Sequence, residues 1–237
     1  MNTESFNQLL SQISEEPIAV IDASISFDKY FPIVISSKNK DLLHFDISSS
    51  IEWETYLASF LTNNKAEVAF GGYLEKRNIY DRSDYFKKLS ENEKRNIHLG
   101  VDLWCDENTK VLAALDGKIH SFENNKNYGD YGPTIILKHQ IEGQVFYTLY
   151  GHLSTASIEN IKIGDTVLQG NIIGYLGSAA VNGDYAPHLH FQIIRDLLDN
   201  FGDYPGVSSE ENIVFYKNNC PNPKFITKIS YLVFAFL

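Results

Sequence analysis

The chain has 237 residues, enough for one domain of ordinary size with a sizeable extension. Hydrophobic residues make up 43% and charged residues 21%, which suits a folded core and excludes a disordered chain. Lys+Arg number 20 and Asp+Glu 30, a formal charge of −10, and no basic run is present, so nucleic acid is not an expected partner.

In chain order, the start M-N-T-E-S-F-N-Q-L-L lacks the basic segment and continuous apolar run of a signal peptide. Two cysteines, Cys105 and Cys220, cannot build a disulfide framework and fit a reducing compartment. Together these give the expectation of a cytoplasmic protein, with non-classical export or periplasmic action left open. Phe6, Leu9, Leu10 and Ile13 within Ser5–Ser14 predict a short helix. Ser49-Ser50-Ile51-Glu52 has capping-box spacing, and Trp53, Tyr56, Leu57, Phe60 and Leu61 follow at i, i+3, i+4, i+7 and i+8. A helix is therefore expected near 50–62, and Ala66–Tyr73 reads as a strand. Of the 15 glycines, 11 fall between Gly100 and Gly183, alternating with V-L-A-A, T-I-I-L, V-F-Y-T-L-Y and I-I-G-Y-L. Short β-prone runs between turn residues predict a mainly β domain, an antiparallel barrel or sandwich, over 95–197. Residues 1–94 are expected as an α+β extension packed on it, and 198–237 as a C-terminal extension. The final I-S-Y-L-V-F-A-F-L is far short of the ~18 apolar residues of a membrane span and reads as a buried strand.

Four histidines sit in patterns that carry chemistry. In N-I-H-L-G-V-D-L-W, Ile97, Leu99, Val101 and Leu103 alternate with His98, Gly100 and Asp102, so a strand would put the aliphatics on one face and the polar pair on the other. Four residues of straight strand span ~13 Å. Zinc ligands lie about 2 Å from the ion. His98 and Asp102 can therefore share a metal only if the segment bends, and Gly100 is the residue best able to permit it. In P-H-L-H-F-Q-I, Leu189, Phe191 and Ile193 form one face and His188, His190 and Gln192 the other. Two histidines ~7 Å apart on one strand face let one bind a metal while its neighbour faces substrate. His152, in Y-G-H-L-S, ends an apolar run and is uninformative alone. Two histidines and a carboxylate make a three-ligand zinc set with a fourth position open.

At these residues the sequence resembles the lysostaphin/LytM-like zinc endopeptidases, which cleave peptide cross-links in bacterial cell walls. Five blocks carry the resemblance: H-L-G-V-D at 98–102, A-A-L-D-G-K-I at 113–119, Y-G-H-L-S at 150–154, I-G-D-T-V-L-Q-G-N-I-I-G-Y-L-G at 163–177 and P-H-L-H-F at 187–191. The resemblance implies a duplicated-hybrid-motif β domain and a zinc ion on His98, Asp102 and His190. It also implies catalytic roles for His152 and His188, a structural role for His139, and a peptide or peptidoglycan-derived substrate. A zinc amidase or carboxypeptidase on the same site, or a non-catalytic wall-peptide-binding relative, is the alternative. The run Cys105–Val111 departs from the family's usual turn after the aspartate without touching a ligand. Biotin- or lipoate-carrying barrels share some of the glycine pattern, but they need a lysine at a hairpin tip, and none lies between Lys162 and Lys217. In G-G-Y-L-E-K-R-N-I-Y at 71–80, Arg77 is a candidate to border the cleft and recognise a substrate carboxylate. His44 and His120 match no block.

Overall fold

The computed structural model describes residues 1–36, 38–82, 90 and 92–229. Helices form over Thr3–Gln12 (α1), Ser50–Asn64 (α2), Ile213–Asn219 (α3) and Lys224–Thr227 (α4). The first two are the helices expected from apolar spacing. Asn2 caps α1 through the Ser5 amide, and Ser49 caps α2 by accepting from the Glu52 amide. The reciprocal arm of the expected capping box goes elsewhere: Glu52 Oε2 accepts from the Asp46 amide at 2.7 Å. Trp53 and Leu57 are the buried residues of the apolar face of α2, and they pack on Ile33, Ile35 and Ala69.

The strands are Tyr30–Pro32 (β1), Val68–Gly71 (β2), Ile97–His98 (β3), Val101–Trp104 (β4), Lys110–Leu112 (β5), Gly117–Asn125 (β6), Gly132–Ile141 (β7), Gln144–Gly151 (β8), Thr166–Val167 (β9), Ile172–Tyr175 (β10), His188–Ile194 (β11) and Val207–Ser208 (β12). Eight of them make one sheet in the order β1-β2-β4-β11-β8-β7-β6-β9, while β10 pairs with β5 and β12 with β3. The fold is mainly β, as expected, but the sheet does not close into a barrel. The outer edge of β4 is taken by β2, with Ala69 opposite Trp104 and Gly71 opposite Asp102, and β1 adds to β2 in parallel. The terminal apolar run after Ile229 lies outside the described residues.

Alternation along the strands sorts side chains into two layers. Leu103, Leu189, Phe191, Ile193, Ile135, Leu137 and Phe146 enter the main core, which α1 covers with Phe6, Leu9 and Leu10 and α4 with Ile226. Opposite residues Ile136, Leu149 and Ile194 join Tyr131, Leu197, Tyr204 and Cys220 in a second cluster. The functional side chains lie in this second layer.

The chain between β3 and β4 corrects one expectation. The four aliphatics of 97–103 do not share a face: Val101 and Leu103 enter the main core, whereas Leu99 joins the second cluster. The strand breaks at Leu99–Gly100, and β3 belongs to a different sheet from β4. The predicted bend is thus a change of sheet, and it rotates Leu99 away from its neighbours.

His139, on β7, is buried at 1% exposure between the Asp116 carbonyl, which accepts from Nδ1 at 2.8 Å, and Thr148 Oγ1, 2.7 Å from Nε2. Burial pushes its pKa down from 6.5 to about 4. The unfolded chain therefore binds this proton at higher pH than the folded chain. The contribution to stability is complete above pH ~6.5 and is lost as pH falls toward ~4. At ~1.4 kcal/mol per unit it is on the order of 3 kcal/mol. His139→Gln, which cannot titrate, should show a correspondingly shallower loss of stability between pH 6.5 and 4 in urea unfolding midpoints. A wild-type slope in that variant would contradict the assignment.

Candidate metal centre

The site is assembled by strand register. On β11, His190 is the direct cross-strand partner of Asp102 on β4 and of Gly151 on β8. Directly opposed residues of an antiparallel pair have Cβ atoms about 5 Å apart, so Asp102 and His190 meet without further adjustment. His188, two residues earlier, opposes Trp104 and stacks on its ring at 5.6 Å and 25°. His98 arrives from β3 across the break at Gly100. A Cβ at Gly100 would lie 2.7 Å from the His190 ring and from the Phe191 carbonyl oxygen, so the close approach of these groups needs glycine there.

Three donor atoms converge. His98 Nε2 is 2.9 Å from His190 Nδ1 and 3.2 Å from Asp102 Oδ1, and His190 Nδ1 is 3.1 Å from the same oxygen. All three residues are 2% exposed. The remaining imidazole nitrogens fix the tautomers. His98 Nδ1–H donates to the Gly72 carbonyl at 3.0 Å, and His190 Nε2–H donates to Gln192 Oε1 at 2.9 Å. Gln192 is in turn held by donating to the Pro205 carbonyl and lying against Cys220 Sγ. Two lone pairs and a carboxylate oxygen therefore point at one another with no proton between them. Such a set is stable around a cation. Ligand atoms ~2 Å from a tetrahedral centre are about 3.3 Å apart, close to the separations here, and the donor types are those of a zinc site.

Charge supports the same reading. Burial pushes the His98 imidazole down to about 3, with the Arg77 charge acting in the same direction. Burial would raise the Asp102 carboxyl, but the surrounding groups, the paired Arg77 guanidinium among them, outweigh it and hold it well below the usual carboxylate range. The site thus offers a neutral His98 imidazole and an ionised carboxylate, the states in which these groups bind metal.

Two further imidazoles stand beside the donors. His152 and His188 are both 5% exposed, with ring centroids 4.2 Å apart. Each donates from Nδ1 to a backbone carbonyl: His152 to Asn182 at 2.8 Å and His188 to Ala186 at 2.7 Å. That leaves Nε2 of each without a proton, and His188 Nε2 lies 3.9 Å from Asp102 Oδ1. His152 follows Gly151 with φ of +64°, a left-handed conformation unusual outside glycine and asparagine. Burial lowers the pKa of both rings; for His152 the neighbouring His188 and His190 add to it, and for His188 the Asp102 charge opposes it. Trp104, Tyr131, Tyr185 and Tyr80 line the cleft around them.

All five residues of the sequence-derived site thus meet at one cleft. Arg77 is a correction. It is 2% exposed and faces no solvent: Nη1 pairs with Asp102 Oδ2 at 2.5 Å and Nε with Glu75 Oε2 at 2.9 Å. It does line the cleft, as expected from the sequence, but its Nη1 and Nε are already committed to two carboxylates, which points to a role in holding Asp102 instead of docking a substrate carboxylate. Gln192 and Gly72 were not singled out from the sequence. The parity of P-H-L-H-F-Q-I placed Gln192 on the histidine face, which was the available signal. Nothing local marks the Gly72 carbonyl.

Comparison with known proteins agrees with this geometry. Residues 96–200 match the model of Peptidase family M23. The chain is 37% identical over 103 residues to the glycyl-glycine endopeptidase ALE-1 of Staphylococcus capitis, covering 44% of this chain and 26% of that protein. It is 38% identical over 104 residues to lysostaphin of Staphylococcus staphylolyticus, covering 44% of this chain and 20% of that one. It thus spans about a quarter or less of the length of these relatives. Among solved structures, the catalytic domain of lysostaphin from Staphylococcus simulans aligns over 62% of this chain and 88% of that one, at 29% identity and a TM-score of 0.36.

Gly100→Ala should weaken zinc binding about tenfold or more, because the new methyl group must displace the His190 ring or the Phe191 backbone. Competition against a chromophoric chelator measures this, and unaltered affinity in a folded variant would show that the close approach is not required.

Proposed function

We propose that the protein is a zinc-dependent metalloendopeptidase that hydrolyses peptide bonds in peptidoglycan cross-links or related small peptides. The observation that carries this reading is the convergence of His98, Asp102 and His190 on one point, with His152 and His188 beside it, within the segment that matches the M23 family. The similarity to a glycyl-glycine endopeptidase and to lysostaphin supports a wall-peptide substrate.

Zinc on the three donors supplies Lewis acidity, which lowers the pKa of water toward neutrality and polarises a scissile carbonyl. The two neighbouring imidazoles provide the rest. A neutral ring with a free Nε2 accepts a proton from the attacking water and returns it to the leaving amine. The second ring, once protonated, stabilises the negative charge that develops on the carbonyl oxygen. The Nδ1–H bonds to Asn182 and Ala186 carbonyls hold both rings in the tautomer that presents Nε2 to the cleft. The rings of Trp104, Tyr131, Tyr185 and Tyr80 that line the cleft provide flat surfaces for an extended peptide.

Chelation should abolish cleavage of defined cross-linked wall peptides, with activity restored by zinc. His188→Ala and His152→Asn, the latter chosen because asparagine tolerates the left-handed backbone, should keep the metal while losing about 10²- to 10⁴-fold in kcat/KM. Metal content falling in step with activity in both variants would defeat the division of roles. A zinc-loaded wild-type protein that leaves every tested wall peptide intact would defeat the substrate assignment.

A further inference from the structure

The segment matching the M23 family begins at residue 96, yet the metal ligands are held from outside it. Gly72 has φ of +110°, and its carbonyl accepts the His98 Nδ1 proton. A Cβ at Gly72 would sit 1.9 Å from Arg77 Nη2 and 2.8 Å from His98 Nδ1. The glycine is thus required both by its backbone conformation and by the space these two side chains occupy. Five residues on, Arg77 grips the Asp102 oxygen that does not face the imidazoles. Glu75 holds Arg77 from the other side and is itself fixed by accepting from the Ile35 amide at 2.9 Å. Trp104 flanks the guanidinium, 5.7 Å from Cζ to the ring centroid, and stacks on His188. The turn is tied to β3 by Leu74 N–H to the His98 carbonyl, His98 N–H to the Glu75 carbonyl and Arg77 N–H to the Asn96 carbonyl.

Resting on the zinc-centre reading, we propose that residues 72–77 are the outer shell of the metal centre and that Arg77 is a positioning residue for Asp102. By committing Oδ2 to its guanidinium, Arg77 leaves Oδ1 as the single oxygen directed at His98 and His190. Asp102 is thereby restricted to one-oxygen ligation, which preserves an open position for substrate. Glu75 balances the buried positive charge, so that the cation site gains an oriented carboxylate without an uncompensated guanidinium beside it.

The test uses the full chain, stripped of metal and titrated with zinc against a chromophoric chelator, and then with Co2+ to read the visible absorption of the site. Arg77→Met, which keeps the length and loses the charge, should weaken zinc binding ten- to a hundredfold. It should also reduce and shift the cobalt bands as Asp102 turns both oxygens to the metal. Arg77→Lys should fall between, about three- to tenfold weaker, because an ammonium can reach Oδ2 but cannot bridge it to Glu75 as a planar fork does. Thermal melting of the metal-free proteins establishes that they are folded. Wild-type affinity and spectrum in folded Arg77→Met would overturn the proposal. Should that variant not fold, the same result in Arg77→Lys would overturn it. Failure of the wild-type chain itself to bind zinc would instead sink the zinc-centre reading on which the proposal rests.

Discussion

The register between β4 and β11 is the constraint on which the rest of the molecule depends. A side-chain period of two means that a slip of one residue would carry His190 into the main core and bring Leu189 to the cleft. Leu189, Phe191 and Ile193 prevent this by occupying the core face of β11, each fully buried. The chemistry is therefore held by apolar packing on the far side of the strand that carries it. At ~25 cal/mol per Å2, three large buried side chains resist a slip far more strongly than any single hydrogen bond in the cleft. The site inherits the rigidity of the core without containing any of it.

Onto this frame the protein adds electrostatic preparation. Three acceptors brought to about 3 Å of one another repel, and folding must supply the energy to hold them. The surrounding donors and acceptors do so: a backbone carbonyl for His98, Gln192 for His190 and a guanidinium for Asp102. The two acceptors draw the imidazole protons outward and the guanidinium occupies the outer carboxylate oxygen, so two ring lone pairs and Oδ1 face the centre. Burial adds to the effect by keeping His98 neutral. The same logic extends to His152 and His188, whose protons are drawn outward to carbonyls.

Much of this arrangement was legible in the sequence because it is local. Parity in P-H-L-H-F-Q-I placed His188, His190 and Gln192 together, the distance argument required a bend at Gly100, and apolar spacing located α2. What could not be read was set by contacts between distant segments. The sheet change at Leu99–Gly100 depends on β12, over a hundred residues later, pairing with β3. The open sheet depends on β2 reaching the edge of β4. Arg77 illustrates the difference. Its sequence neighbourhood, rich in Tyr and Gly, suits a surface recognition loop as well as a buried shell, and its partner lies 25 positions away.

The N-terminal strands answer two needs at once. A β4 edge without β2 would expose unpaired backbone groups beside the cleft, an edge that folded proteins cover or blunt. The residues that cover it run directly into the turn at Gly72 that accepts from His98, and then to the arginine that pairs with Asp102. Edge protection and ligand orientation are thus performed by one continuous stretch of chain. A family match that begins at residue 96 delimits the similarity of sequence, whereas the contacts that orient His98 and Asp102 reach back to residues 72–77. Substitution in this stretch acts on the cleft through the metal ligands themselves, without any side chain from it needing to touch a substrate.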